Sequence, residues 1–196
     1  VLWKGESALV RKIPSNVLII DVEATCWEGT VPQGQESEII EIGLCMVHTA
    51  SGKRGEKRSI LVKPERSRVS TFCTQLTSLT QQQVEQGISF ADACSLLQRD
   101  YASKECIWIS YGEYDRRQFE RQCQSYHVPY PFSSNHINLK LFFALLQGLP
   151  AQVGMAEALR ILHLPLEGTH HRGGDDAWNI AGILSELMRR NRVLTL

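Results

Sequence analysis

At 196 residues, with 43% hydrophobic and 21% charged residues, the chain is long enough for one complete core and too apolar to be disordered. Its 21 basic and 21 acidic residues cancel, which excludes a global field for long polyanions and a large, salt-stabilised nucleic-acid footprint. No apolar run approaches the roughly 20 residues that span a bilayer, and the N-terminus lacks the basic-then-apolar layout of a signal peptide. Six cysteines at irregular spacings, with no C-x-x-C pair, read as reduced thiols, mostly in the core, and argue against a zinc site. An intracellular, cytoplasmic protein with no membrane partner is expected, nuclear placement being open if the source is eukaryotic, with a monomer as the default.

Residues 1–16 read as an N-terminal extension ending at Pro14-Ser15-Asn16, and residues 17–192 as the single domain. The apolar run Val17-Leu18-Ile19-Ile20 opens a buried strand over 17–23 that closes on Asp21-Val22-Glu23. It leads through Ala24-Thr25-Cys26-Trp27 into a Gly- and Pro-bearing loop at 28–36. A second strand at about 38–48 carries Ile40, Ile42, Leu44 and Met46 on one face. A turn at 51–55 joins it to a third strand near 57–63, so the first part of the sheet is antiparallel. Thr80-Gln81-Gln82-Gln83 and, more loosely, Ser89-Phe90-Ala91-Asp92 are capping boxes that each open a helix.

Cys106 to Tyr111 reads as a short buried strand, followed by a helix over 113–127, a turn at Pro129 and Pro131, and an extended segment near 136–140. Helices around 139–147, 154–163 and 175–191 complete the chain. A three-strand meander followed by alternating helices and strands defines an α/β domain, a mixed β-sheet flanked by α-helices.

Side chains two apart on a strand share a face, so Asp21 and Glu23 project together, roughly 6.5–7 Å apart. On a buried strand such a pair repels and resists desolvation, and a hard divalent cation with oxygen ligands would satisfy it; a strand end with two solvated acids is the other reading. Asp115 falls on the apolar stripe of its helix with Phe119, Cys123 and Tyr126, where it can also serve the helix dipole. In the last helix Asp176 lies about 60° from the centre of the buried stripe and Asp175 about 160° from it, so Asp176 faces the sheet and Asp175 faces solvent or caps the helix. Five residues upstream, His171 would point about 140° away on a continuous helix. Gly173-Gly174 therefore reads as a loop that swings His171 back over the site, with His170 its rival. These are the parts for two-metal hydrolysis of a phosphodiester with a histidine base.

The ordered motifs Asp21-Val22-Glu23-Ala24-Thr25-Cys26, Glu38-Ile39-Ile40-Glu41-Ile42-Gly43, Asp115 and His171-x4-Asp176 resemble the DEDDh 3′→5′ exonucleases of the DnaQ-like, ribonuclease-H-type superfamily. Phe72 to Thr80, Tyr114-Asp115 and the stretch from His171 to Ile180 are most similar to the histone-mRNA 3′ exonuclease branch. The resemblance, over about residues 15–190, implies a ribonuclease-H-like fold, with residues 17–192 the exonuclease domain. It implies that Asp21, Glu23, Asp115 and Asp176 hold two Mg²⁺ or Mn²⁺ ions and that Glu23 and His171 act in catalysis, His171 as general base. It further implies that backbone at Ala24 and Thr25 meets the terminal 3′-hydroxyl and that Phe72, Leu76 and Thr77 frame the terminal base, although core packing and capping account for these three equally well. Tyr114 stands where the branch often has Trp. The implied partners are nucleic-acid 3′ ends, RNA ahead of DNA, with nucleoside 5′-monophosphates as products. The alternatives are a catalytically inactive nucleic-acid or protein binding module, or the nuclease subunit of a larger complex. The basic stretch from Lys53 to Arg68 reads as a solvated hairpin or as a phosphate-contacting rim.

Overall fold

The structure is a computed structural model and describes residues 14–193, so most of the expected 1–16 extension lies outside the described residues. Strand β1 (Asn16–Ala24) is flanked by antiparallel β2 (Ile39–His48), which in turn pairs antiparallel with β3 (Arg58–Leu61). On its other side β1 pairs in parallel with β4 (Ile107–Ser110), and β4 with β5 (His136–Asn138). The sheet order is thus β3-β2-β1-β4-β5, the mixed sheet that the sequence leads one to expect.

Among the described residues seven helices surround it: α1 (Thr71–Thr77), α2 (Gln81–Val84), α3 (Phe90–Tyr101), α4 (Tyr114–Tyr126), α5 (Leu139–Leu146), α6 (Met155–Leu162) and α7 (Gly173–Val193). The alternation of β1 sorts its side chains between two cores. Val17 and Ile19 pack with Cys45, Val47 and the buried faces of α5, α6 and α7. Leu18, Ile20 and Val22 pack with Ile42, Leu44, Phe90, Leu97, Trp108 and Phe119 under α3 and α4. The odd-numbered face continues into Asp21 and Glu23. Both acids therefore emerge on the side of the sheet that α7 covers.

Several local expectations need correction. Helix α1 is not visible in the hydrophobic pattern, because only Cys73 and Thr77 of its seven residues are buried. Its ends are set instead by Ser70, whose hydroxyl accepts from Cys73 N–H, and by Ser78 in the left-handed region. The box at Thr80 opens only the single turn of α2. The third strand is shorter than 57–63; just past it Val62 still donates its N–H to Ile40 O at 2.9 Å and bridges Ile88 on its other side. Helix α7 begins at Gly173, not 175, so the two glycines are its first turn rather than a swinging loop.

Candidate active site

The central acids owe their place to register. In the β1–β2 ladder Asp21 faces Gly43 and Glu23 faces Glu41. Asp21 is half-buried and Glu23 buried. Asp115 enters from the first turn of α4, buried, and its Oδ1 accepts the Val22 N–H at 3.0 Å, which ties α4 to the central strand between the two β1 acids. Asp176 arrives on α7, also buried, as the helical phase requires. Carboxylate oxygens of Asp21, Glu23 and Asp176 lie within 4.8 Å of one another.

Asp176 also organises the histidines. Its Oδ2 accepts the His171 N–H at 2.9 Å and contacts His170 Nδ1 at 2.9 Å. His171 takes a left-handed φ of 63°, and the two imidazoles stack with centroids 4.0 Å apart. This turn brings His171 to the site, the task that the glycine pair was expected to perform. Asp175 points away from the cluster and holds Lys57 Nζ at 2.5 Å and the Thr169 N–H at 2.8 Å.

Burial, followed by the crowding of acids, sets the electrostatics. Burial first, then the charges of Asp115, Glu23, Asp176 and Glu41, holds Asp21 well above the usual carboxylate range. Glu23 is pushed up to about 8 by burial and by Asp176, Glu41 and Asp115, with Arg172 opposing. Burial raises Asp115 to about 6 against the hydrogen bond from Val22 N–H. Burial also raises Asp176, against the pull of the two histidines. The His171 imidazole is held below its ordinary value by burial and by its neighbour His170. Clustered all-oxygen donors that resist ionisation are what hard divalent cations stabilise, so the residues fit such ions.

One buried assembly beside the site escapes sequence reasoning. Glu41 is fully buried on β2; it accepts Arg172 Nε at 3.2 Å, an Arg172 terminal nitrogen at 3.1 Å, the Gly173 N–H at 2.8 Å and the Ser59 hydroxyl. It thus caps α7 from the sheet. A Cβ on Gly43 would lie 1.7 Å from the Gly173 carbonyl oxygen, so only glycine lets the helix end press this close. The one signal available was the Glu-x-Gly spacing at 41–43.

The acids and histidines open into a pocket of about 340 Å³. Ala24, Leu76 and Tyr114, which the sequence singled out, line it, and so do Tyr111, Lys140 and Met155, which the sequence did not single out. Thr25 and Thr77 do not line it. Thr25 is fully buried, its hydroxyl donating to Glu36 O and accepting from Glu38 N–H, and its own N–H is bound to Glu38 O. Thr77 is fully buried, its hydroxyl donating to Cys73 O and accepting from Leu79 N–H. Phe72 is 37% exposed on α1, which rules out core packing, but it does not line this pocket. In the basic stretch Arg54, Lys57, Arg58 and Arg66 are held in ion pairs. None of its residues lines the pocket.

The fold together with this acid cluster is that of the ribonuclease-H-like nucleases. The exonuclease family model RNase_T matches residues 18–184, and the chain belongs to that family. It is 32% identical over 199 residues to the 3′-5′ exoribonuclease 1 of Rattus norvegicus, covering 96% of this chain and 57% of the relative. It is 30% identical over 165 residues to the probable 3′-5′ exonuclease KapD of Bacillus subtilis strain 168, covering 83% and 80%. Among solved structures it resembles the nuclease domain of 3′hExo, a DEDDh family member bound to rAMP. That match has a TM-score of 0.81 and 27% identity, over 90% of this chain and 92% of that one. The chain spans little more than half the length of the rat relative. Nucleases of this family depend on divalent cations. No helix among the described residues is long and apolar enough to cross a membrane.

Proposed function

We propose that this chain is a 3′→5′ exonuclease that removes nucleoside 5′-monophosphates from RNA ends, using two Mg²⁺ or Mn²⁺ ions. Residues 17–192 are its catalytic domain and 1–16 an extension. The observation that carries the reading is the convergence of Asp21, Glu23 and Asp176 oxygens within 4.8 Å, with Asp115 fixed beside them. The names of the rat relative and of the rAMP-bound neighbour support RNA as substrate.

Asp21, Glu23, Asp115 and Asp176 would hold the ions, which when bound supply charge neutralisation at the scissile phosphate and activation of water. His171 takes the water's proton on its imidazole; its lowered pKa keeps the ring neutral, and so able to accept, near pH 7. Backbone at Ala24 receives the terminal 3′-hydroxyl, and Leu76 and Tyr114 flank the terminal nucleoside. A hydroxyl read in this way leaves no path for a continuing chain. The test is product analysis on matched end-labelled RNA and DNA, with 3′-phosphorylated and circular RNA alongside. Stepwise release of 5′-monophosphates from free 3′ ends, and resistance of the 3′-phosphate and the circle, are expected. Rapid cutting of the circle would overturn the assignment.

A further inference from the structure

Four carboxylates line the pocket, yet its substrate is itself a polyanion. The ions neutralise the acids and the scissile phosphate, which leaves the next phosphate along the chain to the protein. Among the described residues lining the pocket, Lys140 is the single lysine or arginine, and its ammonium makes no hydrogen bond or ion pair with the described residues. Its position is fixed. Asn138 caps α5 through the Leu141 N–H at 3.0 Å and donates to Glu113 Oε1 at 3.0 Å, which pins the helix start to the turn after β4. A Cβ on Gly112 in that turn would meet Lys140 Cδ at 3.9 Å, so the aliphatic stem runs along the turn.

The sheet order gives the direction. Leu76 belongs to α1, whose Cys73 packs on Ile40 of β2, to one side of β1. Lys140 follows β5, on the other side. The acids of β1 lie between them. A terminal nucleoside beside Leu76 and a scissile phosphate over the acids send the rest of the strand toward α5.

We propose that Lys140 grips the phosphate immediately upstream of the scissile one, so that the site recognises two successive phosphates. This rests on the exonuclease reading above. A dinucleotide without a 5′-phosphate has only the scissile phosphate, whereas a 5′-phosphorylated dinucleotide or a trinucleotide has both.

The experiment compares kcat/KM for these three substrates in the wild type, Lys140→Met and Lys140→Arg, with Lys104→Met, an exposed lysine away from the pocket, as a control for net charge. Lys140→Met should lose about tenfold or more on the two longer substrates, the usual worth of a charge-assisted hydrogen bond, mainly through KM. It should stay within about twofold on the bare dinucleotide. Its salt dependence on the longer substrates should become shallower by about one ion. Lys140→Arg should recover most of the loss, and Lys104→Met should match the wild type. Equal losses on all three substrates would place Lys140 on the scissile phosphate or in folding, and no loss on any would leave it merely solvated; either result overturns the proposal. A wild type inactive on all three would instead sink the exonuclease reading, a separate failure.

Discussion

A ligand acid and a proton acceptor fail in different ways when removed, so substitution can tell the proposed roles apart. If Asp21, Glu23, Asp115 and Asp176 hold the ions as proposed, loss of any one misplaces an ion, so each alanine variant should nearly abolish hydrolysis and weaken the stabilisation that Mg²⁺ gives in thermal melts. His171→Ala should lose about 10²–10⁴-fold in rate, the usual contribution of general-base help, and keep the Mg²⁺ response. His170, although it contacts Asp176 at 2.9 Å, has a side chain 41% exposed to solvent, and His170→Ala should keep most activity. An active His171→Ala beside an inactive His170→Ala would move the base by one residue. Asp175→Ala should leave the chemistry nearly intact, because its carboxylate holds Lys57 and Thr169 rather than facing the cluster.

The docking of α7 onto the sheet decides whether Asp176 and the histidines reach the acids of β1. Gly43→Ala forces a Cβ into the Gly173 carbonyl, and backbone on both sides leaves nothing flexible to yield. A loss of about 3 kcal/mol or more is expected in denaturant unfolding, with activity falling further than stability alone explains, because the helix start must move. A variant as stable and active as the wild type would refute that close packing. The sequence made part of this element legible and hid the rest. The phase of α7 follows from Ala177, Ile180, Ala181, Leu184 and Leu187, all buried, and it placed Asp176 inward correctly. The start of the helix could not be read, since its cap is Glu41, 132 residues away in the chain. A glutamate on a strand reads as solvent-facing until its arginine partner is known. Helix α1 was hidden for the opposite reason, having too few buried residues to show a period.

Across the whole molecule, folding without divalent ions buries acids and gathers them together, and this sets the sign of its pH dependence. Glu23 holds its proton up to about pH 8 when folded but releases it near its ordinary value of 4.5 when unfolded. The native state therefore binds more protons over that interval, and stability falls as pH rises through it. Asp21, also raised, acts in the same direction. His171 and His136, both lowered, act oppositely, but only below their ordinary value of 6.5. Glu186, lowered to about 2, completes its contribution below pH 4.5. Between pH 6.5 and 8 the raised acids act without opposition from the histidines and Glu186. Glu23 alone should cost about 2 kcal/mol there, at about 1.4 kcal/mol per pH unit. For a chain of this size that is a fall of about 4–8 °C in the Tm of chelator-treated protein. Saturating Mg²⁺ should raise the Tm more at pH 8 than at pH 6.5, because the ions need the ionised carboxylates. A metal-free Tm that stays flat or climbs between pH 6.5 and 8 would mean that the folded chain does not hold Glu23 and Asp21 in their protonated forms.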